Sequence, residues 1–324
     1  MTAHTGEARG ETGVLKSYIR LARLDHSTKH IFIVPGLVLC YLLRQSESQL
    51  SVYTIFLGFA CAVFIASANY TINEWLDREY DKFHPTKSLR ASVQMALSGK
   101  LVALQWILLV MAGLVCAWLM GSVTLLVALV FALQGVVYNV PPIRLKDVTY
   151  FDVISESINN PLRLMIGWSM VDPTTCPPAS IILAYWLGGG FLMAAKRYSE
   201  YRELTSAHGK DLLVRYRASF AGYSEVSLNV SCLIYAMMSA FFLAVFLLKY
   251  RVEYLLATPF LAALFGEYLA LSLRPQSSAQ SPEKLYKEGR LIVLVIMVVV
   301  VSIIATFVDM PVLQSLAEQR FMSL

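Results

Sequence analysis

Charged residues are scarce in this sequence. Only 15% of its 324 residues are Asp, Glu, Lys or Arg, while 57% are apolar. A soluble domain usually has about 25% charged and roughly 45–50% apolar residues. The composition therefore excludes an ordinary soluble domain and predicts a polytopic membrane protein.

Several familiar catalytic and binding patterns are also missing. The sequence has no Gly-rich phosphate loop, no Ser–His–Asp arrangement and no Cys/His pattern with zinc-ligand spacing. The five cysteines stand at unrelated spacings, mostly inside apolar runs, so no disulfide framework is predicted. The net charge of +5 is modest, and we expect no nucleic-acid partner. The sequence contains no signal from which an oligomeric state could be predicted.

Apolar runs long enough to cross a bilayer recur along the chain and predict an all-α fold. We place nine spans at residues 31–43, 52–72, 101–120, 123–140, 153–171, 181–195, 226–249, 254–273 and 291–308. The fifth is the weakest because it contains several polar residues. Polar residues inside a span usually face a bundle interior or a wet cavity, so they suggest function.

The loops alternate in charge, and most of the 27 basic residues fall on one side. The positive-inside rule places that side, with the N-terminus, in the cytoplasm and the C-terminus on the far side of the inner membrane. We expect a disordered cytosolic tail over 1–15, which lacks the apolar core of a signal peptide, a transmembrane transferase domain over 16–310, and a short C-terminal tail over 311–324.

An abrupt polar stretch follows the second predicted span. Asn73, Asp77 and Asp81 are four residues apart, so on a helix they share one face. Two carboxylates and an amide form a partial oxygen cage for Mg²⁺, which completes its shell with water and phosphate oxygens. The alternative is a solvated helix end, where charged residues are common.

A second acidic pair and several cations lie in other loops on the same side. Asp152 and Glu156 repeat the spacing of the first pair. Positive-inside anchoring explains most isolated basic residues, and we prefer that interpretation for Arg202, Lys210, Arg215 and Arg217. Two acidic pairs with neighbouring cations suit Mg²⁺-assisted departure of a diphosphate.

These features resemble the UbiA-type intramembrane prenyltransferase superfamily over about residues 15–308. The resemblance rests on nine spans and on Asn73, Asp77 and Asp81 after the second of them. It implies an all-helical bundle around a central cavity with a cytosolic cap. Asp152 and Glu156 are the nearest match to the second acidic motif, with Glu in place of the commoner Asp.

The finer pattern resembles the decaprenyl-phosphate phosphoribosyltransferase branch. It rests on residues 22–30, on His84-Pro85-Thr86-Lys87 with Arg90, and on the segments 144–146 and 196–198. Arg90-Ala91-Ser92 stands where Arg-Pro-Ile is common. The branch transfers phosphoribose from phosphoribosyl diphosphate to a polyprenyl phosphate, and it implies a glycan pathway of the cell envelope.

The resemblance assigns roles to named residues. Asp77 and Asp81 would bind Mg²⁺ directly, with Asn73 orienting or ligating. The residues expected to bind substrates are Lys87, Arg90, Arg144 and Lys146 for the donor phosphates, Asp152 and Glu156 for the ribose hydroxyls or a second ion, Tyr138 in the same loop region, and Lys29, Arg23, Lys196 and Arg197 for the lipid phosphate.

Two rival functions stay open. The first is a prenyltransferase that joins an isoprenyl diphosphate to an aromatic or other small acceptor. The second is a secondary transporter that couples ions through acidic residues, which usually lie near the membrane midplane. The acidic residues of this chain cluster at predicted cytosolic helix ends, which argues against a transporter.

Overall fold

The computed structural model describes residues 16–44, 50–275, 277–280 and 282–317. In this part of the chain every regular element is helical, in agreement with the predicted fold class. The predicted N-terminal tail and the end of the C-terminal tail lie outside the described residues.

In chain order, the helices are α1 (Val34–Leu43), α2 (Val52–Asp81), α3 (Gly99–Met120), α4 (Ser122–Asn139), α5 (Phe151–Ser157), α6 (Asn159–Ser169), α7 (Ala179–His208), α8 (Lys210–Tyr216), α9 (Glu225–Tyr250), α10 (Thr258–Ser272), α11 (Gly289–Phe307) and α12 (Pro311–Ala317). A short helical turn, Ala91–Gln94, and several 3₁₀ segments connect them, among them Leu24–Ile33, Lys87–Leu89, Leu145–Asp147, Ala218–Gly222 and Val252–Ala257.

Seven helical stretches of the described residues are long and apolar enough to cross a membrane. They coincide with seven of the nine predicted spans, and the chain is an integral membrane protein. The first predicted span is a shorter apolar helix, Lys29–Leu43. The fifth is not one helix but two, α5 and α6, so the count of nine spanning helices stays a prediction.

The break in the fifth span follows from its sequence. Ile158 separates α5 from α6, and Pro161 lies in the first turn of α6. Proline has no amide hydrogen to donate, so it is tolerated in the first turn of a helix but not in the interior of a longer one. The hydropathy pattern contains no signal for this interruption.

The chain divides into two compact units. The first comprises residues up to Pro177 together with Leu204–Tyr223, and the second comprises Pro178–Glu203 and the residues from Ser224 onwards. Every acidic residue of the two predicted motifs belongs to the first unit, as do most of the predicted substrate-binding cations.

Small residues allow helices of the first unit to approach closely. A side chain at Gly36 of α1 would overlap the carbonyl group of Leu164 in α6, and one at Gly167 would overlap the carbonyl oxygen of Ile33. Between α3 and α4 the chain turns on a single residue, Gly121, whose φ of 142° favours glycine. Small residues at helix interfaces are typical of membrane bundles.

The buried core of the first unit joins α2, α3, α4 and α6. Its members include Cys61 and Ile65 of α2, Phe131 of α4 and Ile166 of α6. Large apolar side chains elsewhere on these helices are exposed, such as Trp118 at 68%. Exposed apolar surface of this kind indicates contact with lipid.

The second unit packs aromatic side chains between its own helices. Phe191 of α7 meets Phe265 of α10 edge to face at 4.8 Å between ring centres, and Ser239 of α9 donates a hydrogen bond to the carbonyl oxygen of Ala184 at 2.8 Å. Ser224 and Ser227 form a reciprocal capping box at the start of α9.

Candidate active site

The end of α2 presents three oxygen-bearing side chains on one face, as the spacing predicts. Asn73, Asp77 and Asp81 all lie within the helix. The side chain of Asp77 is 13% exposed and that of Asp81 is 2% exposed. Such burial argues against a solvated helix end, because the charged side chains of a solvated helix end would stay in water.

Asp77 is paired with two cations from the loop after α4. Arg144 donates from Nη2 to Oδ1 of Asp77 at 2.9 Å, and Lys146 forms an ion pair with the same oxygen. Arg144 also donates from Nε to Asp147 and from Nη1 to the carbonyl oxygen of Asn139. Its φ of 33° is unusual for a long side chain, and such strain recurs at functional sites.

Asn139 connects the loop to the acidic helix. Its Oδ1 accepts hydrogen bonds from Nδ2 of Asn73 at 2.5 Å and from Nζ of Lys146 at 2.9 Å. Burial lowers the pKa of Lys146 to about 8, although Asp77 acts in the opposite direction. The amine is thus held at the site at a cost in solvation that its two oxygen partners offset only in part.

Asp81 is paired with a cation from a different loop. Nη1 of Arg90 lies 2.6 Å from Oδ2 of Asp81. Burial disfavours the charged guanidinium, but Asp81 and Glu74 outweigh it and raise the pKa of Arg90. The two carboxylates therefore draw cations from two separate loops towards one helix face.

The turn after α2 is organised by His84. Its Nδ1 accepts from the backbone amides of Thr86 at 3.2 Å and Lys87 at 3.3 Å, and its ring meets that of Tyr216 edge to face at 4.6 Å. Lys87 in turn donates to the hydroxyl of Tyr216. The His-Pro-Thr-Lys stretch thereby places a lysine beside the acidic face.

The second acidic pair separates into two environments. Asp152 is fully buried and accepts hydrogen bonds from the hydroxyls of Tyr223 at 2.6 Å and Ser219 at 3.1 Å. Glu156 is partly exposed and accepts from the hydroxyl of Tyr138 at 2.6 Å. Of the two, Glu156 is the carboxylate with an accessible surface for a substrate.

Arg217 bridges these two environments. Its Nη1 lies 3.3 Å from the Tyr138 hydroxyl and 3.8 Å from Oδ2 of Asp152. The sequence-based interpretation of Arg217 as a membrane anchor does not account for these contacts.

The residues predicted to bind the lipid phosphate have separate partners. Arg23 lies 3.9 Å from the buried carboxylate of Glu74. Lys29 has its Nζ 5.4 Å from the centre of the Tyr70 ring. Lys196 and Arg197 belong to the second unit, where Arg197 pairs with the buried Glu200 at 3.1 Å. Their shared role at one lipid phosphate stays a prediction.

Sequence reasoning missed several side chains that contact the predicted residues. They are Asn139, Tyr216, Arg217, Ser219 and Tyr223. Asn139 directly follows Tyr138 at the start of the polar stretch that leads to Arg144, and this position could have identified it from the sequence. The others are 65 to 129 residues away in the chain from the predicted residues that they contact, and only the fold brings them together.

The oxygen donors of α2 fit a hard divalent cation. Among the described residues no group of three or more His, Cys, Asp or Glu side chains is arranged to hold a metal by itself. Mg²⁺ needs no such group, because it takes one or two carboxylates and completes its shell with water and phosphate. Asn73 donates through its amide nitrogen, which leaves its amide oxygen as the atom suited to a cation.

A comparison with protein families shows to which family this chain belongs. The model of the UbiA prenyltransferase family matches residues 32–291. The chain belongs to the UbiA prenyltransferase family. The match includes every residue of the two acidic motifs, whereas Arg23 and Lys29 stand before its first residue.

Solved structures of the family show the same fold. A UbiA homologue from Archaeoglobus fulgidus bound to DMAPP and Mg²⁺ has a TM-score of 0.66 and 19% identity, covering 90% of this chain and 100% of that one. The same homologue bound to GPP and Mg²⁺ has a TM-score of 0.66 and 20% identity, with the same coverage of both chains. A structure concerned with digeranylgeranylglyceryl phosphate synthase has a TM-score of 0.60 and 16% identity, and the match covers 91% of this chain and 99% of that one.

A curated relative is the uncharacterized protein y4nM of Sinorhizobium fredii (strain NBRC 101917 / NGR234). It is 28% identical over 153 residues, which are 47% of this chain and 28% of that protein. The alignment thus spans under a third of the length of this relative.

Proposed function

We propose that this protein transfers the 5-phosphoribosyl group of phosphoribosyl diphosphate to the phosphate of a polyprenyl phosphate, with release of diphosphate and with Mg²⁺ as cofactor. Membership of a transferase family supports the general reaction, and the solved homologue bound to Mg²⁺ and isoprenyl diphosphates supports the cofactor. We assign the phosphoribosyl donor from the charges of the site.

The observation that carries the proposal is the gathering of five cations around the acidic face. Asp77 and Asp81 have three cationic partners, Arg144, Lys146 and Arg90. Two further cations, Lys87 and Arg217, stand among the hydroxyls beside them. An isoprenyl diphosphate brings one anionic group, whereas phosphoribosyl diphosphate and a lipid phosphate bring three.

Binding of the donor exchanges partners within this site. Asp77 and Asp81, with the amide oxygen of Asn73, would hold Mg²⁺, which would supply positive charge to the leaving diphosphate. Arg90, Arg144 and Lys146 then turn from the carboxylates to phosphate oxygens, to which charge-assisted hydrogen bonds are strong. The protein thus keeps these cations next to the place where negative charge develops.

The reaction balances without a general base. A phosphate oxygen of the acceptor forms a bond to the anomeric carbon of ribose, and the bond between that carbon and the diphosphate oxygen breaks with its electron pair. The acceptor oxygen is already ionised at neutral pH, so it needs orientation rather than deprotonation. In this proposal Glu156, beside Tyr138, accepts hydrogen bonds from the ribose hydroxyls.

A prenyl transfer is the second candidate, favoured by the solved homologue bound to DMAPP and GPP. It would use the same carboxylates and cations on an isoprenyl diphosphate. The two candidates differ in the diphosphate that is consumed.

Diphosphate release from the purified protein in detergent tests the proposal. We expect Mg²⁺-dependent release, and a phosphoribosylated lipid, with phosphoribosyl diphosphate plus polyprenyl phosphate. Geranylgeranyl diphosphate plus an aromatic acid serves as the competing pair. Release with the second pair alone would overturn the phosphoribosyl assignment in favour of prenyl transfer.

A further inference from the structure

Two amide side chains of α2 connect this helix to α4 beside the candidate metal site. Nδ2 of Asn69 donates to the carbonyl oxygen of Phe131 at 2.9 Å. One turn further along α2, Nδ2 of Asn73 donates to Oδ1 of Asn139 at 2.5 Å. Side-chain amides often join helices in membrane bundles. The second contact differs from the first, because it joins two side chains and one of them is a predicted ligand of Mg²⁺.

Asn139 is held in one orientation by its other partners. It is 2% exposed and stands at the end of α4. Its Nδ2 donates to the carbonyl oxygen of Gly135 at 2.8 Å, and its Oδ1 accepts from Nζ of Lys146 at 2.9 Å. A carbonyl oxygen can only accept a hydrogen bond and an ammonium group can only donate one. Exchanging the amide oxygen and nitrogen of Asn139 would therefore break both bonds.

The orientation of Asn139 also sets that of Asn73. Because Oδ1 of Asn139 is an acceptor, Asn73 presents its amide nitrogen there, and its amide oxygen is left for another partner. Reversing the amide of Asn73 would bring two oxygen atoms together at the same distance, where they repel each other. Asn73 is half-buried and shares a helix face with Asp77 and Asp81.

We propose that Asn139 is a positioning residue of the metal site, which fixes Asn73 with its amide oxygen rather than its nitrogen available to Mg²⁺. The inference rests on the Mg²⁺–diphosphate part of the proposed function and deepens it. Mg²⁺ binds oxygen, and either oxygen of Asp77 or Asp81 can serve. An amide offers one oxygen and one nitrogen, so Asn73 is the ligand whose orientation a neighbour must set.

Asn139 could instead act through Lys146, and binding measurements separate these two routes. Lys146 keeps its ion pair with Asp77 when the side chain of Asn139 is removed. A lysine contributes charge to a bound diphosphate whether or not a metal is present. Loss of a metal ligand weakens only the part of the diphosphate affinity that depends on the metal.

Binding of inorganic diphosphate in detergent, measured with excess Mg²⁺ and without metal, tests the proposal. We expect Mg²⁺ to increase the diphosphate affinity of the wild-type protein. Asn139→Ala should reduce that increase about tenfold, a usual effect of removing a residue that orients a metal ligand. Its metal-free affinity should stay within twofold. Asn139→Asp keeps an oxygen acceptor for Asn73 and should recover most of the increase.

A double-mutant cycle identifies the residue through which Asn139 acts. Asn73→Ala alone should cause a loss similar to that of Asn139→Ala. The variant with both substitutions should lose no more than either single variant, because both remove the same contact with the metal. A general structural effect of Asn139 would add to the loss caused by Asn73→Ala.

Asn69→Ala is the matched control. It removes the neighbouring amide contact between the same two helices, and it should leave both diphosphate affinities within twofold. Melting temperatures identify any variant that is not folded. If Asn139→Ala does not fold, Asn139→Ser takes its place, since serine retains a polar group but is too short to reach Asn73.

Three outcomes would overturn the assignment. The first is an unchanged effect of Mg²⁺ in Asn139→Ala. The second is weaker metal-free binding, which would assign Asn139 to Lys146, and the third is an additive loss in the cycle. Diphosphate is released in both candidate reactions, so absence of phosphoribosyl transfer would refute the donor assignment alone and leave the role of Asn139 intact.

Discussion

At the scale of single residues, Asp77 links α2 to the loop after α4 through charge. It lies within a salt-bridge distance of Arg144 and Lys146, both of which are largely buried. Removing a carboxylate from such a group leaves buried cations unpaired, and this is costly when nothing replaces it. A bound diphosphate would supply that replacement.

We expect Asp77→Asn to lower diphosphate release at least a hundredfold, because the amide cannot balance the charge of a divalent cation. Glu79→Gln on the same helix is the matched control, since Glu79 is exposed and pairs with Lys82. Release is measured over a range of Mg²⁺ concentrations. Full activity of Asp77→Asn would remove Asp77 from the metal site.

Arg217 and Arg215 form a second matched pair. Arg217 contacts Tyr138 and approaches Asp152, whereas Arg215 is exposed two residues away. We expect Arg217→Gln to lower kcat/KM by about tenfold, comparable to the loss of one charge-assisted hydrogen bond. Arg215→Gln should stay within twofold. Equal effects from both would restore the anchoring interpretation.

At the scale of helices, the close contact between α1 and α6 explains how two short helices can be stable. Neither is long enough to be counted as a span on its own. Gly36 and Gly167 allow their backbones to meet, so each short helix is stabilised by the other rather than by its own length.

We expect Gly167→Ala to reduce stability by about 1–3 kcal/mol, the usual cost of overpacking. Its methyl group would overlap the carbonyl oxygen of Ile33. Gly266→Ala in α10 is the control, because nothing lies within 4 Å of the added carbon and alanine favours a helix. Thermal unfolding in detergent measures both. A Gly167→Ala protein as stable as the control variant would contradict the close contact.

At the scale of the whole molecule, the orientation in the membrane depends on whether the broken pair α5 and α6 crosses the bilayer. The predicted topology places the loop after the fifth span on the far side. Cys176 lies in that loop and is exposed, while Cys40, Cys61 and Cys232 are buried and Cys116 is half-buried within the apolar helix α3. One native thiol therefore reports the orientation.

We expect a membrane-impermeant maleimide to label Cys176 in intact cells. The Cys176→Ser protein should not react, and Lys100→Cys in that background should react only after permeabilisation. Labelling of Cys176 only after permeabilisation would mean that α5 and α6 return to the side they started from.

The class of fold, seven of the spans and the shared face of Asn73, Asp77 and Asp81 could all be predicted from the amino-acid sequence. These features depend on composition and on spacing along one helix, which are local properties. Hydropathy did not reveal that the fifth predicted span is divided into α5 and α6, because a break at Ile158 and Pro161 changes backbone geometry without changing average polarity.

The pairing of cations with carboxylates could not be predicted, because it depends on how distant segments pack together. Lys146 pairs with Asp77 from the loop after α4, and Arg217 approaches Asp152 from 65 residues further along the chain. Arg90 stands only nine residues from Asp81, and that pairing depends on how the turn after α2 folds back. Positive-inside anchoring and phosphate binding place the same residue types at the same helix ends. Charge pairing across distant segments distinguishes them, and no local pattern contains that information.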